Sequence, residues 1–131
     1  MAHGMSLKGI ARWIPAAAIV ACSWTLSSMP TIEQMPQFWN ADKLVHTICY
    51  GGLAFWMAFG ADGTPRDKKW RWAIPMLITA AYGMVDEAHQ SFTPGRDCSL
   101  LDWAADVCGA CLGSWAYGLV ADFVTKLRER G

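Results

Sequence analysis

Residues 44–61 read LVHTICYGGLAFWMAFGA, a run of 18 positions without Asp, Glu, Lys or Arg. An α-helix of this length rises about 27 Å, because each residue adds about 1.5 Å. The hydrocarbon core of a bilayer is roughly 30 Å thick. The run therefore predicts a membrane-spanning helix, and the rest of the chain is interpreted from it.

Three further segments have the same hydrophobic character. Residues 10–29 are apolar except for Arg12, and Pro15 is tolerated in a first helical turn. Residues 73–85 are too short to cross a bilayer, so a spanning helix must continue through the polar positions up to residue 90. The prediction is an all-α, polytopic membrane protein whose single domain covers residues 1–131. Its four-transmembrane-helix bundle comprises helices at about 10–29, 44–61, 72–90 and 100–121.

The composition agrees with a membrane protein. Hydrophobic residues make up 53% of the chain and charged residues 17%, and eight residues are Trp, which is favoured at membrane interfaces. The formal net charge is zero, so nucleic acid is not an expected partner. The five cysteines are an odd number, which argues against a disulfide framework.

The basic residues predict the orientation. Four spans place both termini and the loop between the second and third helices on one side of the membrane. Of the 11 Lys and Arg residues, all lie on that side except Lys43 and Arg96. Cytoplasmic loops carry the excess of basic residues, so both termini are predicted to be cytoplasmic and the loops 30–42 and 91–99 to face outward. An alternative for the first helix is a cleaved lipoprotein signal ending at Cys22.

The loop between the third and fourth helices carries the signals of a turn and of a helix start. Thr93, Pro94 and Gly95 are typical of a turn. Ser99, followed three residues later by Asp102, is typical of a capping box. The third and fourth helices are therefore predicted to form an antiparallel hairpin.

The ionisable side chains at membrane depth all lie toward the predicted outer face. They are Lys43, His46, Asp86, Glu87, Asp102 and Asp106, with Tyr50 and Gln90 nearby. A carboxylate in lipid costs about 2.5 to 3.5 kcal/mol, so several are expected only where they face one another, a cation or a water-filled pocket. Spacings of three, four and seven residues place the members from each helix on one face. These side chains are therefore predicted to converge.

Two other features support this convergence. Gly109 and Gly113 form a G-x-x-x-G, which would let a neighbouring helix pack closely. Arg96 in the loop could reach back to the carboxylates or grip an anionic ligand. Structural interpretations stay open: Lys43 as an interfacial cation, Asp102 as a cap, and the acids that end the third helix as an ion-pair network with Arg96.

The sequence DEAHQSFTPGR at residues 86–96, followed by SLLD at 99–102 and a helix rich in small residues, resembles the VanZ-like family. That family also has a Lys and His pair that opens a helix, matched here by Lys43 and His46, with Tyr50 beyond. The resemblance covers about residues 42–115. It implies an integral membrane protein of four helices, in a family named for a teicoplanin-resistance accessory protein, and it implies no particular reaction.

Two functions fit these observations. The favoured one is a non-catalytic protein of the bacterial cytoplasmic (inner) membrane that binds membrane lipid, or a lipid-linked or anionic envelope precursor, at the outer face. This binding would be linked to glycopeptide (teicoplanin) resistance. The expected ligand-binding residues are Lys43, Tyr50, Gln90, Arg96, Asp102 and Asp106. The alternative is a membrane-embedded hydrolase or transferase acting on a lipid-linked substrate, with Asp86, Glu87 and His46 as catalytic residues.

Metal and transport chemistry rank below these two functions. His46 and the carboxylates could serve as ligands for a divalent cation, but their spacing matches no recognised motif such as H-E-x-x-H. Neither a metal nor another cofactor is therefore expected. A proton-coupled transporter is third, because four short helices leave little room for alternating access.

Overall fold

The structure is a computed structural model that describes residues 7–30, 41–62, 68–96 and 98–131. These residues form five α-helices and no β-strand, so the all-α prediction is confirmed for them. The helices are α1 (Leu7–Ala11), α2 (Ile14–Ser27), α3 (Ala41–Ala61), α4 (Lys68–Gln90) and α5 (Leu100–Arg130). Most of the predicted outer loop at 30–42 lies outside the described residues.

The first predicted helix is interrupted. α1 ends at Ala11, Arg12 and Trp13 form a turn, and α2 begins at Ile14. The predicted span over residues 10–29 thus contains a turn near its start, although Leu7–Ser27 as a whole is long and apolar enough to cross a membrane. Pro15 is the physical reason for the turn, because proline lacks the N–H that a continuous helix would use and its ring crowds the preceding turn. The same residue suits the first turn of α2, where N–H groups have no intrahelical partner.

The other helices are longer than predicted. α3 starts before residue 44, α4 starts before residue 72, and α5 continues past residue 121. The added ends include Lys, Arg and Glu residues, which form helices well without being apolar. Hydrophobicity alone therefore does not detect these ends.

Three helical segments are long and apolar enough to cross a membrane: Leu7–Ser27, Lys43–Ala61 and Leu100–Arg130. α4 is not among them, because it begins with basic residues and ends with acidic ones. Several of its large apolar side chains are nevertheless exposed, including Leu77, Ile78 and Met84. The chain thus has the helices of a membrane protein, and α4 as a fourth span stays a prediction.

The backbones of α3 and α5 are in direct contact. A Cβ atom at Gly113 would overlap the carbonyl oxygen of Gly51, and a Cβ atom at Gly109 would overlap that of Thr47. Any larger residue at these two positions of α5 would push the helices apart. The close packing predicted from the G-x-x-x-G is confirmed.

Hydrogen bonds hold α4 against its neighbours. On one side, Trp103 Nε1 of α5 donates to the carbonyl oxygen of Ala80 at 3.0 Å. On the other side, the hydroxyl oxygens of Tyr82 and Ser23, on α2, lie 2.8 Å apart. The ring of Tyr82 also packs against the buried core formed by Ala16, Tyr50 and Leu53. These contacts fix the face that α4 presents to the site.

The helix packing has two ends with different chemistry. We call the polar end the one that contains the start of α3, the end of α4 and the start of α5. At the opposite end, Asp62 accepts hydrogen bonds from Arg71 at 2.5 and 3.0 Å and from the Tyr117 hydroxyl at 2.7 Å. Arg12 donates to the carbonyl oxygen of Phe59 at 2.7 and 3.1 Å, and its guanidinium lies 4.1 Å from the centre of that ring. These contacts tie α1–α2, α3, α4 and α5 together away from the polar end.

Candidate functional site

The polar end contains one imidazole between two carboxylates. Nδ1 of His46, on α3, lies 2.7 Å from Oδ1 of Asp106, on α5, and 3.7 Å from Oε1 of Glu87, on α4. Asp106 is 0% exposed and Glu87 3%, whereas the His46 side chain retains 15% exposure. We call these three residues the triad. Each comes from a different helix, and His46 is its most accessible member.

The neighbouring acid, Asp86, faces a different partner. The hydroxyl of Tyr50, one helical turn beyond His46, donates to Oδ2 of Asp86 at 2.5 Å. Oδ1 of Asp86 is buried and has no hydrogen-bond partner among the described residues. Buried polar atoms are normally paired, so the hydrogen bond from Tyr50 is the main described interaction that stabilises this carboxyl group.

The start of α5 is capped by the residue that precedes it, and the acid in its first turn forms an ion pair with a lysine of α3. The Asp102 N–H donates to Oγ of Ser99 at 3.3 Å, so Ser99 caps α5 as predicted, but the reciprocal bond of a capping box is not formed because the Ser99 N–H has another partner. Oδ1 of Asp102 lies 2.5 Å from Nζ of Lys43. The N–H of Ser99 donates to Oε2 of Glu87 at 3.1 Å, which links the cap to the triad. Lys43 is therefore an ion-pair partner within the site and more than an interfacial cation.

The loop after α4 is folded onto the polar end. Gly95 has a φ of 78°, a left-handed conformation that favours glycine, and the N–H of Arg96 donates to the carbonyl oxygen of Thr93 at 3.1 Å. The Thr93 hydroxyl donates to the carbonyl oxygen of Ser27, at the end of α2, at 2.8 Å. The half-buried Arg96 therefore lies in the loop that joins the end of α4 to the start of α5. Within the described ranges its side chain makes no ion pair with the carboxylates.

The predicted site residues are thus brought together unequally. Lys43, His46, Tyr50, Asp86, Glu87, Asp102 and Asp106 contact one another in pairs across α3, α4 and α5. Gln90 is 4% exposed at the end of α4 but takes no part in these pairs. His89 stacks on Trp24 with ring centroids 3.8 Å apart and lies apart from the triad. The possible network between Arg96 and the acids of α4 is not found among the described residues.

A family model described as VanZ/LLP1 matches residues 3–121. The chain belongs to the VanZ/LLP1 family. The matched range contains α2, α3 and α4, most of α5, and every residue of the site described above. Neither the curated proteins nor the solved structures that were compared with the chain gave a match. The predicted family is therefore confirmed, and this VanZ/LLP1 chain is a membrane-type helical protein.

The site of this VanZ/LLP1 protein is rich in negative charge. Its described carboxylates are Asp86, Glu87, Asp102 and Asp106, and the described basic side chains that contact them are Lys43 and His46. Such an arrangement can hold a cation. It can also act as a general acid and base, because an imidazole oriented by one carboxylate lies beside a second.

Some contacts have no clear sequence signal. The Ser99 N–H to Glu87 bond depends on the path of the loop, and the Trp103 indole to Ala80 bond on the rotation of α5 against α4. The capping pattern predicts that Ser99 starts a helix, but it does not predict that the Ser99 N–H donates to Glu87. Trp103 lies one turn inside α5, and a buried tryptophan normally needs a hydrogen-bond acceptor for its indole N–H. This requirement is the sequence signal for an interhelical bond.

Proposed function

We propose that this VanZ/LLP1 protein is a multi-pass protein of the bacterial inner membrane that binds a phosphate-bearing lipid, or a lipid-linked envelope precursor, at its outer face. In this proposal α4 is the fourth span, both termini are cytoplasmic and the polar end faces outward. The charge count of the loops supports this orientation. In this proposal the protein binds the lipid and does not catalyse a reaction on it.

The position of Arg96 is the observation that carries the proposal. A guanidinium stays charged at all relevant pH values, and its planar fork binds phosphate oxygens in pairs. The nearby carboxylates of the triad and Asp102 already have partners in His46, Ser99 and Lys43, so their charge is partly satisfied from within. Among the described Lys and Arg side chains of the polar end, Arg96 is the one without an ion pair to these carboxylates, so we assign it to the anion. Lys43 contributes less than the sequence suggested, because it is paired with Asp102.

The exposed apolar side chains around Arg96 support a position at the level of lipid headgroups. Phe92 is 86% exposed, and Leu100 and Leu101 are 77% and 70% exposed on the other side of the loop. Large apolar residues on a loop tip are costly in water and are stabilised where they contact acyl chains. Arg96 between them is then positioned beside lipid phosphates.

The test is the thermal stability of the purified protein in the presence of defined lipids. Undecaprenyl phosphate or an anionic phospholipid should stabilise the wild-type chain by about 2.7 kcal/mol once the free lipid reaches about a hundredfold its dissociation constant. Phosphatidylcholine should give no comparable shift. Arg96→Ala should abolish the stabilisation, whereas Arg128→Ala, an exposed arginine at the end of α5, should retain it. Equal stabilisation of both variants would rule out the proposal.

The proposed link to glycopeptide resistance has its own test. Cells that express the wild-type chain should tolerate more teicoplanin than cells that express Arg96→Ala at the same level in the membrane. If the inhibitory concentration of teicoplanin is the same in both strains, the link to resistance is ruled out, while the lipid-binding proposal is unaffected.

A second candidate function rests on the geometry of the triad. His46 hydrogen-bonded to one carboxylate and 3.7 Å from another resembles the acid and base groups of a hydrolase or transferase. The pairing makes Glu87, more than Asp86, the catalytic carboxylate of this candidate, because Asp86 is bound to Tyr50. Turnover of a lipid-linked phosphate that is lost in Glu87→Gln while lipid stabilisation remains would favour catalysis over binding alone.

A further inference from the structure

We infer that His46, Glu87 and Asp106 together bind a divalent transition-metal ion, Zn²⁺ or Mn²⁺. One ligand atom from each of these side chains lies within 4.8 Å of the other two. Donors around one such ion lie at most about 4.2 Å apart, since each metal–ligand bond is about 2.1 Å. A small rotation of the side chains brings them within that limit. The inference holds whether or not the proposed lipid binds, and it departs from the expectation of no metal that sequence spacing supports.

The donor set suits a transition metal. One imidazole nitrogen with two carboxylate oxygens is a combination that Zn²⁺ and Mn²⁺ accept, whereas Ca²⁺ and Mg²⁺ prefer oxygen ligands throughout. Nδ1 of His46 is the atom that faces both carboxylates. A metal ion at that nitrogen would replace the proton that His46 and Asp106 share, so binding should release protons.

The ligands are also held in place by other groups. The Ser99 N–H bonds Oε2 of Glu87, which leaves Oε1 to face His46. Asp106 is completely buried at the contact between α3, α4 and α5. Hydrogen bonds that orient metal ligands in this way commonly affect metal affinity by about 10- to 100-fold.

Buried oxygens without partners point to a missing positive charge. Oδ2 of Asp106 and Oδ1 of Asp86 are both buried and have no hydrogen-bond partner among the described residues. A buried carboxylate that is incompletely paired is strongly unfavourable. The described acids at the polar end also outnumber the basic side chains that contact them. Oδ2 of Asp106 packs beside Gly83, so a divalent ion on the triad would bind through Oδ1 and offset the charge of this incompletely paired carboxylate, together with the excess negative charge of the site.

The experiment measures metal bound to the tag-free chain in detergent after removal of free metal. The wild-type protein should retain one Zn²⁺ or Mn²⁺ per chain by elemental analysis. His46→Ala and Asp106→Asn should each weaken binding by more than about 100-fold. His89→Ala is the matched control, because this imidazole lies at the same end but stacks on Trp24 outside the triad. A wild-type chain that retains neither ion, or a His89→Ala loss equal to that of His46→Ala, would overturn the inference.

Two further measurements separate true loss of the site from misfolding or stray binding. Cys108→Ser combined with Cys111→Ser removes two exposed thiols that could hold zinc by themselves, and binding should persist in this variant. Electron spin-echo spectra of Mn²⁺ bound to the unaltered chain should show coupling to one imidazole nitrogen. Absence of that coupling overturns the inference even if the variants fail to fold. The Arg96→Ala chain should bind metal normally, so failure of the lipid proposal and failure of the metal site are distinguishable.

Discussion

Nδ1 of His46 lies 2.7 Å from Oδ1 of Asp106, across a sequence separation of 60 residues. The contact joins α3 to α5 at the polar end, close to the place where the glycines of α5 let the two backbones touch. A polar contact at such a position couples the two side chains strongly, because Asp106 is fully buried and has no solvent as a substitute partner.

This coupling can be measured by a double-mutant cycle. His46→Ala and Asp106→Asn should each lower the free energy of unfolding, and the double variant should lose less than the sum, with a coupling energy of about 1 to 3 kcal/mol. Chemical unfolding in detergent gives the four values. Asp106→Asn combined with His89→Ala should be additive within about 0.5 kcal/mol. Additivity in both pairs would contradict the contact.

The hydroxyl of Tyr50 should matter more than that of Tyr82. Tyr50→Phe removes the hydrogen bond to the buried Asp86 carboxyl group, whose other oxygen has no described partner, and should cost about 1.5 to 3 kcal/mol. Tyr82→Phe removes a bond to the neutral Ser23 hydroxyl and should cost about 0.5 to 1.5 kcal/mol. Both free energies of unfolding come from the same denaturation assay. An equal cost for the two changes would argue that Asp86 is not held by Tyr50.

Two glycines of α5 should respond to alanine in opposite ways. Gly113→Ala places a methyl group against the backbone of Gly51 and should destabilise the protein by about 1 to 3 kcal/mol or more. Gly118→Ala meets open space and should stabilise α5 by about 0.5 to 1 kcal/mol, because alanine favours helix over the unfolded chain. Melting temperatures of the two variants are sufficient to compare them. A tolerated Gly113→Ala would mean that α3 and α5 are farther apart than described.

The orientation in the membrane can be tested with thiol reagents that do not cross lipid. In a chain whose other cysteines are replaced by Ser, the exposed Cys98 should be labelled on intact cells. A cysteine at Lys126, exposed near the end of α5, should be labelled only after permeabilisation. The opposite pattern would reverse the sidedness and place the polar end in the cytoplasm.

The fold follows from the sequence where the signal is local. The uncharged run at residues 44–61 predicts α3, and Gly109 with Gly113 predicts a close neighbour, because both properties can be read within one helix. The turn at Arg12 and Trp13 is not resolved by the general hydrophobicity of residues 10–29, although Arg12 and Pro15 are both signals for it. The long end of α5 was missed for the converse reason, since its residues are helical but charged.

The sequence predicts which residues form the site, but it does not predict which of them contact one another. Helical spacing places polar residues on one face of each helix, yet it does not determine which neighbour that face meets. Two adjacent acids show the difference: Asp86 turns to Tyr50, and Glu87 turns to His46 and Ser99. Such choices depend on helix rotation and on the loop that carries Arg96, and these are properties of the packed molecule.

The backbone contact between α3 and α5 has a consequence for how the chain is made. α3 precedes α5 along the chain, so in the proposed topology Lys43 and His46 would enter the bilayer before the acidic start of α5 has been synthesised. Asp102 and Asp106 would each enter lipid unfavourably on a solitary helix. When α5 follows, its small residues allow it to slide against a helix that already presents the matching counter-charges. In that topology we expect the order of the helices along the chain to ease the insertion of α5, because its packing partner α3 is already present.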